Sequence, residues 1–330
     1  MPRGGIYLSY EKWLYENYNI QPEEKRWIDG KECFKSGEYV YFTISIDNNE
    51  IIYMEQAVVA YYLAEDYYTH MAIPISNNQG EWFTVFQDTQ LMVVQGKLSY
   101  REITLSDGKL LAEFHQIGNA YGYEPKAISS YGQWKELWID KVNTLENHLE
   151  QRARETPSAY YRLVMDVLPY FIGISENAIQ YIRESEQEQR FYEVDQGTIA
   201  FRRYTNQLIK PIMWPMELVY DHPSRDISEF LRQHILNKDP GAISSNFLND
   251  YQAIRPLSVF SWRLIYARLL FPIHIFDFLE WNLTSENDDA LEQFKQLLQT
   301  QSEYEEKLGK FYNQVEVDCD LLQIPVVHWL

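Results

Sequence analysis

Basic residues are scarce in this chain: 29 Lys and Arg stand against 48 Asp and Glu, a formal charge of −19. Binding to nucleic acid or to an anionic membrane needs cations to meet phosphates, so both are excluded as expected partners. Cysteine is rarer still. Cys33 and Cys319 lie far apart without metal-ligand spacing, which reads as two thiols rather than a disulfide and fits synthesis in the cytosol. No run of about 18 uncharged apolar residues is present, so no membrane-spanning helix is expected. The start, MPRGGIYLSYEKW, lacks the apolar core of a signal peptide. Gly-x-Ser-x-Gly elbows, His-Glu-x-x-His helices and Cys-x-x-Cys pairs are also missing, which removes the hydrolase, zinc-protease and thiol-redox readings.

What is present is ample apolar material, 45% of 330 residues, enough for one large domain or two lobes. Tyrosine stands out with 26 copies. Its ordinary use is as a large amphipathic filler. Exposed clusters at Tyr61–Tyr62, Tyr67–Tyr68 and Tyr160–Tyr161 would instead serve association.

Periodicity divides the chain. Ser9 to Asn19 reads as an amphipathic helix with Trp13, Leu14 and Tyr18 on one face. Trp27 to Ile46 reads as strands, with Asp29-Gly30 and Ser36-Gly37 as turns. Glu50 to Tyr68 follows as a helix, then short strands around Trp82–Phe86 and Leu91–Val94. After Gly96 the chain turns helical: a helix opened by Ser106, one within Tyr131–Arg152, and one near Ala159 to Gln189 with Pro169 and Gly173 as bending points. Arg255-Pro256-Leu257-Ser258 reads as a helix stop followed by a cap, and Pro272 interrupts an apolar helix. Asp288 to Tyr312 is a last amphipathic helix, followed by an irregular tail from Val315 to Leu330.

One stretch organises the rest: GTIAFRRYTNQLIKPIMWPMELVYDHPSRD, Gly197 to Asp226. An apolar strand, a short loop, a second apolar strand and a Pro-x-Arg-Asp helix entry follow one another. With Leu-Ala-x-Phe-His ending at His115, the Gly-x-Trp entry at Trp134 and the run Tyr-x-x-Ile-Arg-Pro-Leu-Ser ending at Ser258, this pattern resembles the aminoglycoside phosphotransferase and choline kinase superfamily. Within it, the chain is most similar to the CotS-like branch of spore coat proteins and its YutH-type, endospore coat-associated group. The resemblance implies an α+β, two-lobed, protein kinase-like fold. A small antiparallel-sheet lobe would span residues 1–95, and a larger, mostly helical lobe residues 96–330.

The same resemblance locates a site whose chemical groups have been replaced. Phosphoryl transfer needs an acceptor-orienting carboxylate, oxygen ligands for Mg²⁺ and a phosphate-holding Lys paired with a helix Glu. The carboxylate motif falls on Phe201, Arg202 and Arg203, and the metal-binding motif on Trp214, Pro215 and Met216. The Lys falls at Phe42 or beside it, in a stretch from Ser36 to Gly96 that contains no Lys or Arg between its ends. Glu55 is then a helix Glu without its partner. A rival frame makes Asp221 the metal ligand. His115 reads as a packing residue, Asp226 as a helix cap, and Arg255 as part of the stop signal.

The expectation is therefore a non-catalytic, pseudokinase-type component of the spore coat, with neither metal nor cofactor. Other coat proteins are its implied partners, and a homo-oligomer stays open beside them. The alternatives are an atypical small-molecule phosphotransferase, or a cleft that binds an anion through Arg202 and Arg203. If the arginines replaced the motif without its function, one or both should be neutralised by Glu217, Asp221 or Glu55, or stacked on Trp214, with Trp214 or Met216 filling the space where metal and phosphates would sit.

Overall fold

The computed structural model describes residues 9–47, 49–100, 105–186, 192–237, 245–283 and 288–325. The first eight residues of the start, Asn48 in its turn, residues 187–190 of the charge run and the last five residues of the tail lie outside the described residues. The chain forms two compact units. The smaller takes Met1–Thr104 but also Tyr121–Ser129 and Asn206–Val219, so it is not one contiguous run ending at Gln95; the larger takes Leu105–Ala120, Ser130–Thr205 and Tyr220–Leu330.

The smaller unit opens with α1 (Tyr10–Tyr18), capped by the Ser9 hydroxyl, which accepts from the Lys12 N–H at 3.3 Å, and closed by Asn19 in the left-handed region. Then come β1 (Glu24–Ile28), β2 (Lys31–Ser36), β3 (Tyr39–Ser45), α2 (Glu50–Asp66), β4 (Ile73–Ile75), β5 (Phe83–Phe86) and β6 (Thr89–Gly96). The strands form one antiparallel sheet in the order β1-β2-β3-β6-β4, with β5 also paired to β6. Positive φ at Asp29 (49°) and Gly30 (70°) makes the β1–β2 connection a two-residue turn of the kind whose twist suits a hairpin.

Strand alternation sends side chains to two faces. On one, Phe34, Leu91 and Val93 pack with Trp13, Leu14 and Tyr18 of α1. On the other, Val40, Phe42, Met92 and Val94 pack with Ile212 and Trp214. The second face is thus covered by a segment from far along the chain, held by a Met71–Met213 bridge and the Ala72 N–H to Met213 carbonyl bond of 2.8 Å.

The larger unit contains α3 (Asp107–Asn119), α4 (Trp134–Glu155), α5 (Ala159–Ser185), β7 (Thr198–Phe201), the end of β8 (Leu218–Asp221), α6 (Ser224–Leu236), α7 (Ser245–Gln252), α8 (Val259–Leu270), α9 (Ile273–Trp281), α10 (Asp288–Gly309) and α11 (Phe311–Gln314). Pro169 lies inside α5 without ending it. Ser258 caps α8 by accepting from Ser261, as a stop-then-cap signal requires, and Pro272 separates α8 from α9. The stretch Val259–Trp281 is long and apolar enough to cross a membrane, yet 83% of its apolar 18-residue window is buried inside the protein, so it is a core helix pair. Gly118 lets α3 approach β7 closely: a Cβ there would stand 2.7 Å from the Ile199 backbone nitrogen.

The tyrosine clusters separate on burial. Tyr61 and Tyr67 are more than one-third exposed, whereas Tyr160 and Tyr161 are each 5% exposed. The third cluster is therefore packing material, because α5 turns both rings into the helical core, and it offers no surface for association.

Candidate functional site

Strand β3 places Phe42 in the middle of the sheet, 1% exposed and opposite Val94 in the register. Trp214 reaches the same face, also 1% exposed. The two rings meet edge to face, with centroids 4.3 Å apart and planes at 85°. That is a favourable aromatic geometry. It involves the two positions at which the resemblance implies a phosphate-holding Lys and a metal-binding carboxylate. The cation over Trp214 is Lys31, whose Nζ is 5.4 Å from the ring centroid, and not the expected arginine.

Helix α2 carries Glu55 and Gln56 side by side, and each has taken up a structural task. The Glu55 carboxylate accepts three backbone N–H bonds, from Lys126 (3.0 Å), Ala127 (2.7 Å) and Ile128 (3.0 Å). The buried Gln56 amide donates to the carbonyls of Met216 and Leu218, both at 3.1 Å. Thus α2 stitches two distant segments, 121–129 and 206–219, onto the smaller unit. Met216 joins the Phe42–Trp214 cluster as a partly buried neighbour.

In the larger unit, β7 ends at the buried Phe201, after which a loop begins. Phe201 donates its N–H to both oxygens of Asp226 at 3.1 Å. His115 links Asp226 (Nε2–Oδ2, 3.1 Å) to the Tyr251 hydroxyl (Nδ1, 2.9 Å). Burial holds the His115 imidazole well below its ordinary pKa, helped by Arg255, and pushes the Asp226 carboxyl well up against the Phe201 N–H bond. Arg255 donates to the His115 carbonyl at 3.3 Å. Asp226 was expected to cap its own helix. No side-chain cap bond is made at α6; the carboxylate, fully buried beside β7, serves the Phe201 N–H instead.

The two arginines part company. Arg202 is exposed, and its carbonyl accepts from Arg203 (3.0 Å) and Arg225 (3.1 Å). Arg203 forms a fork with Asp277, Nε–Oδ2 3.0 Å and Nη2–Oδ1 3.1 Å, and comes within 4.0 Å of Glu229. Arg203 is therefore neutralised, but by Asp277 and Glu229. Glu217, Asp221 and Glu55 were the expected partners. Glu55 and Asp221 are committed to other donors, and Asp277 and Glu229 sit on α9 and α6, which pack where the loop emerges.

Asp221 is the hub that sequence reasoning underrated. Fully buried, it accepts from Trp134 Nε1 (2.6 Å), Ser130 Oγ (2.8 Å), Arg225 (2.8 Å), Arg268 (2.7 Å) and the His222 N–H (2.7 Å). Burial alone would raise its pKa; Arg268 and Arg225 outweigh that and hold the carboxyl well below the usual range. Five donors occupy the lone pairs that a metal would need. One signal pointed here: Arg268 is, with Arg263, one of two buried arginines in a largely apolar helix, and a buried Arg demands a partner. Beside this hub lies a cavity of about 260 Å³, lined by Lys141, Arg203, Arg225, Arg232 and Arg268 with Trp134, Trp138 and Phe271. Arg203 borders it and Arg202 does not.

Residues 11–311 match the family described as "Spore coat putative kinase YutH". The chain belongs to this family. It is 31% identical over 314 residues, 91% of either chain, to the endospore coat-associated protein YutH of Bacillus subtilis strain 168. Among solved structures, it is similar to an aminoglycoside phosphotransferase from Alicyclobacillus acidocaldarius, with a TM-score of 0.58, 13% identity, and 89% of this chain and 93% of that one covered. An amicoumacin kinase, hAmiN, superposes with a TM-score of 0.56 at 16% identity, covering 90% of this chain and 92% of its own. At such identities these two likenesses speak for the fold, which is kinase-like, α+β, with an antiparallel-sheet unit and a helical unit. The YutH family membership agrees with the resemblance read from Arg255-Pro256-Leu257-Ser258 and the Arg225-Asp226 helix entry.

Proposed function

We propose that this YutH family member is a non-catalytic, kinase-like component associated with the spore coat, where it acts as a structural or scaffold protein. The observation that carries the reading is the edge-to-face pair of Phe42 and Trp214 inside the sheet core. A Lys and a metal-binding carboxylate at these two positions would hold Mg²⁺-nucleotide; two aromatic rings offer neither charge nor oxygen ligand. Three further features support it. Glu55 is used up on backbone N–H groups, Arg203 brings a cation to the position of the catalytic carboxylate, and Asp221 is saturated by donors. Phe201, Arg202 and Met216 complete the set of replaced positions. Coat proteins are the partners proposed for it, by extension from its coat-associated relative.

The test is a thermal shift with millimolar Mg²⁺-ATP, for which no stabilisation is expected. A site of micromolar Kd would add ~4 kcal/mol at thousandfold excess, so a metal-dependent shift of that order would overturn the reading in favour of a phosphotransferase. A second reading, binding of a small anion without reaction, is favoured by the five cations around the 260 Å³ cavity. Four carboxylates, Asp221, Glu229, Asp277 and Glu280, already pair with those cations. A shift by inorganic phosphate that needs no metal and is lost in Arg203→Ala would support this second reading.

A further inference from the structure

The outer face of α2 is apolar where a solvated helix should be polar. Ile51, Met54 and Val58 are exposed by 58%, 49% and 49%. Their spacing of three and four residues puts them on one stripe, about 10 Å long at the rise of an α-helix. Facing the stripe are Tyr121, Tyr123 and Pro125 from the segment that Glu55 ties down. Between helix and segment runs an open groove of about 650 Å³.

The far wall is preformed. Three backbone N–H bonds to Glu55 fix residues 126–128, and Tyr121 is wedged between Tyr62 (centroids 5.0 Å apart) and Tyr123 (5.9 Å). A groove whose walls are already ordered binds at a smaller entropic cost. Its charged lining is of one sign: Glu50 and Glu124 at the rim, with Glu55 already held by the backbone N–H groups of 126–128. No Lys or Arg occurs anywhere in α2.

We propose that this groove is the docking site for a short amphipathic helix of a protein partner, presenting two or three apolar side chains flanked by Lys or Arg. A helix fits better than an extended strand. The groove has no strand edge, and the amides of 126–128 that would pair with an extended peptide are taken by Glu55. Helix-in-groove recognition reads anchors at i, i+3 or i+4 and i+7, which match the length of the stripe. The acidic rim selects a basic flank. A second copy of this chain is a poorer occupant, since a charge of −19 on each copy sets like against like. The proposal is independent of whether the protein catalyses anything.

A random library of peptides of about twelve residues, displayed on phage, would be panned on the full chain with counter-selection on Val58→Lys. The enriched sequences should pair helical apolar spacing with Lys or Arg. A synthetic peptide of that sequence should bind at least about tenfold more weakly to Val58→Lys, or to Met54→Lys if the first variant folds poorly. Its affinity should also drop severalfold between about 0.05 and 0.5 M NaCl. Three results would each overturn the proposal. They are no enrichment beyond Val58→Lys, enrichment of acidic or non-amphipathic peptides, and a groove that takes up the apolar dye anilinonaphthalene sulfonate but no peptide.

Discussion

At the scale of single residues, buried charges in this molecule are held by partners drawn from several elements. Asp221 is the sharpest case. Replacing it by Asn keeps the shape but removes the charge that balances Arg268, itself 9% exposed. Leaving one member of a buried ion pair alone typically costs ~3–5 kcal/mol. Asp221→Asn should therefore lower the denaturation midpoint by that equivalent, whereas Asp320→Asn, on an exposed turn, should change it by less than ~0.5 kcal/mol. Chemical denaturation of the two variants in parallel checks this. The Phe42–Trp214 contact can be weighed in the same way: a double-mutant cycle to Ala should return a coupling of ~0.5–1.5 kcal/mol.

At the scale of elements, the main device is a helix that stitches. Glu55 is one side chain, yet it decides where residues 126–128 lie. Glu55→Ala removes the acceptor for three N–H groups, and bonds to a charged partner are worth ~1.5–3 kcal/mol each in the general case. Hydrogen exchange at the amides of Lys126, Ala127 and Ile128 should speed up by at least tenfold in this variant, a change that ~1.4 kcal/mol suffices to produce. Exchange in α10 should stay as it was. Gly118 tests a different joint. A methyl group there meets the Thr198 hydroxyl at 2.5 Å as well as the Ile199 nitrogen, so Gly118→Ala should cost ~1–3 kcal/mol by overpacking, despite the better helix propensity of Ala.

Elements were also the scale at which the sequence spoke most clearly. Asp29-Gly30, Ser258 and Pro272 each impose a local geometry that no distant contact needs to supply, and each acts where its chemistry predicts. The strand β4 went unread because three residues carry no period. The additions to the smaller unit were illegible for a different reason. Segments 121–129 and 206–219 join it through Glu55 and Gln56, partners 71 to 162 residues away. The candidate site divides in the same way. The motif frame singled out Phe42, Trp214 and Arg203, but not that the first two pack on each other or what pairs with the third. Asp277 stands 74 residues from Arg203, and Trp134 stands 87 from Asp221. A residue type announces that it needs a partner; only the folded chain says which one.

At the scale of the whole molecule, several buried imidazoles set the response to acid. Burial, with Arg232 adding to it, brings His274 down to about 3, against the Gln301 bond and Glu229; burial also lowers His222, against Asp195, and His115. A depressed imidazole adds stability that is fully present above the unfolded value of ~6.5 and is lost as pH falls toward the folded value. Asp221, depressed below the carboxylate range, adds no slope until pH falls under ~4. Asp226, whose carboxyl burial raises, works in the opposite direction and offsets up to one of these protons. Thermal stability should accordingly drop between pH 7.5 and 5.5 by the balance that the three imidazoles leave. His274→Gln should flatten the drop by about 1.4 kcal/mol per pH unit between pH 6 and 4, the contribution of one proton. A profile that is unchanged in this variant would show that His274 titrates normally.

The aromatic pair in the sheet also bears on the routes open to descendants of this sequence. On the proposed alignment with the kinase-like pattern, a nucleotide site would require Lys at 42 and a carboxylate at 214. Either one alone strands a charge at a position now 1% exposed, among Val40, Met92, Val94 and Ile212. Such a single step costs several kcal/mol, against a total stability of ~5–15 kcal/mol for an ordinary domain. Only the joint change pairs the charges, and a joint change is rare. On the proposed non-catalytic reading, the contact of Phe42 and Trp214 would act as a ratchet against such a site. Phe42→Lys and Trp214→Asp made singly should each be crippled in folding, and the double variant should be less damaged than the sum of the two.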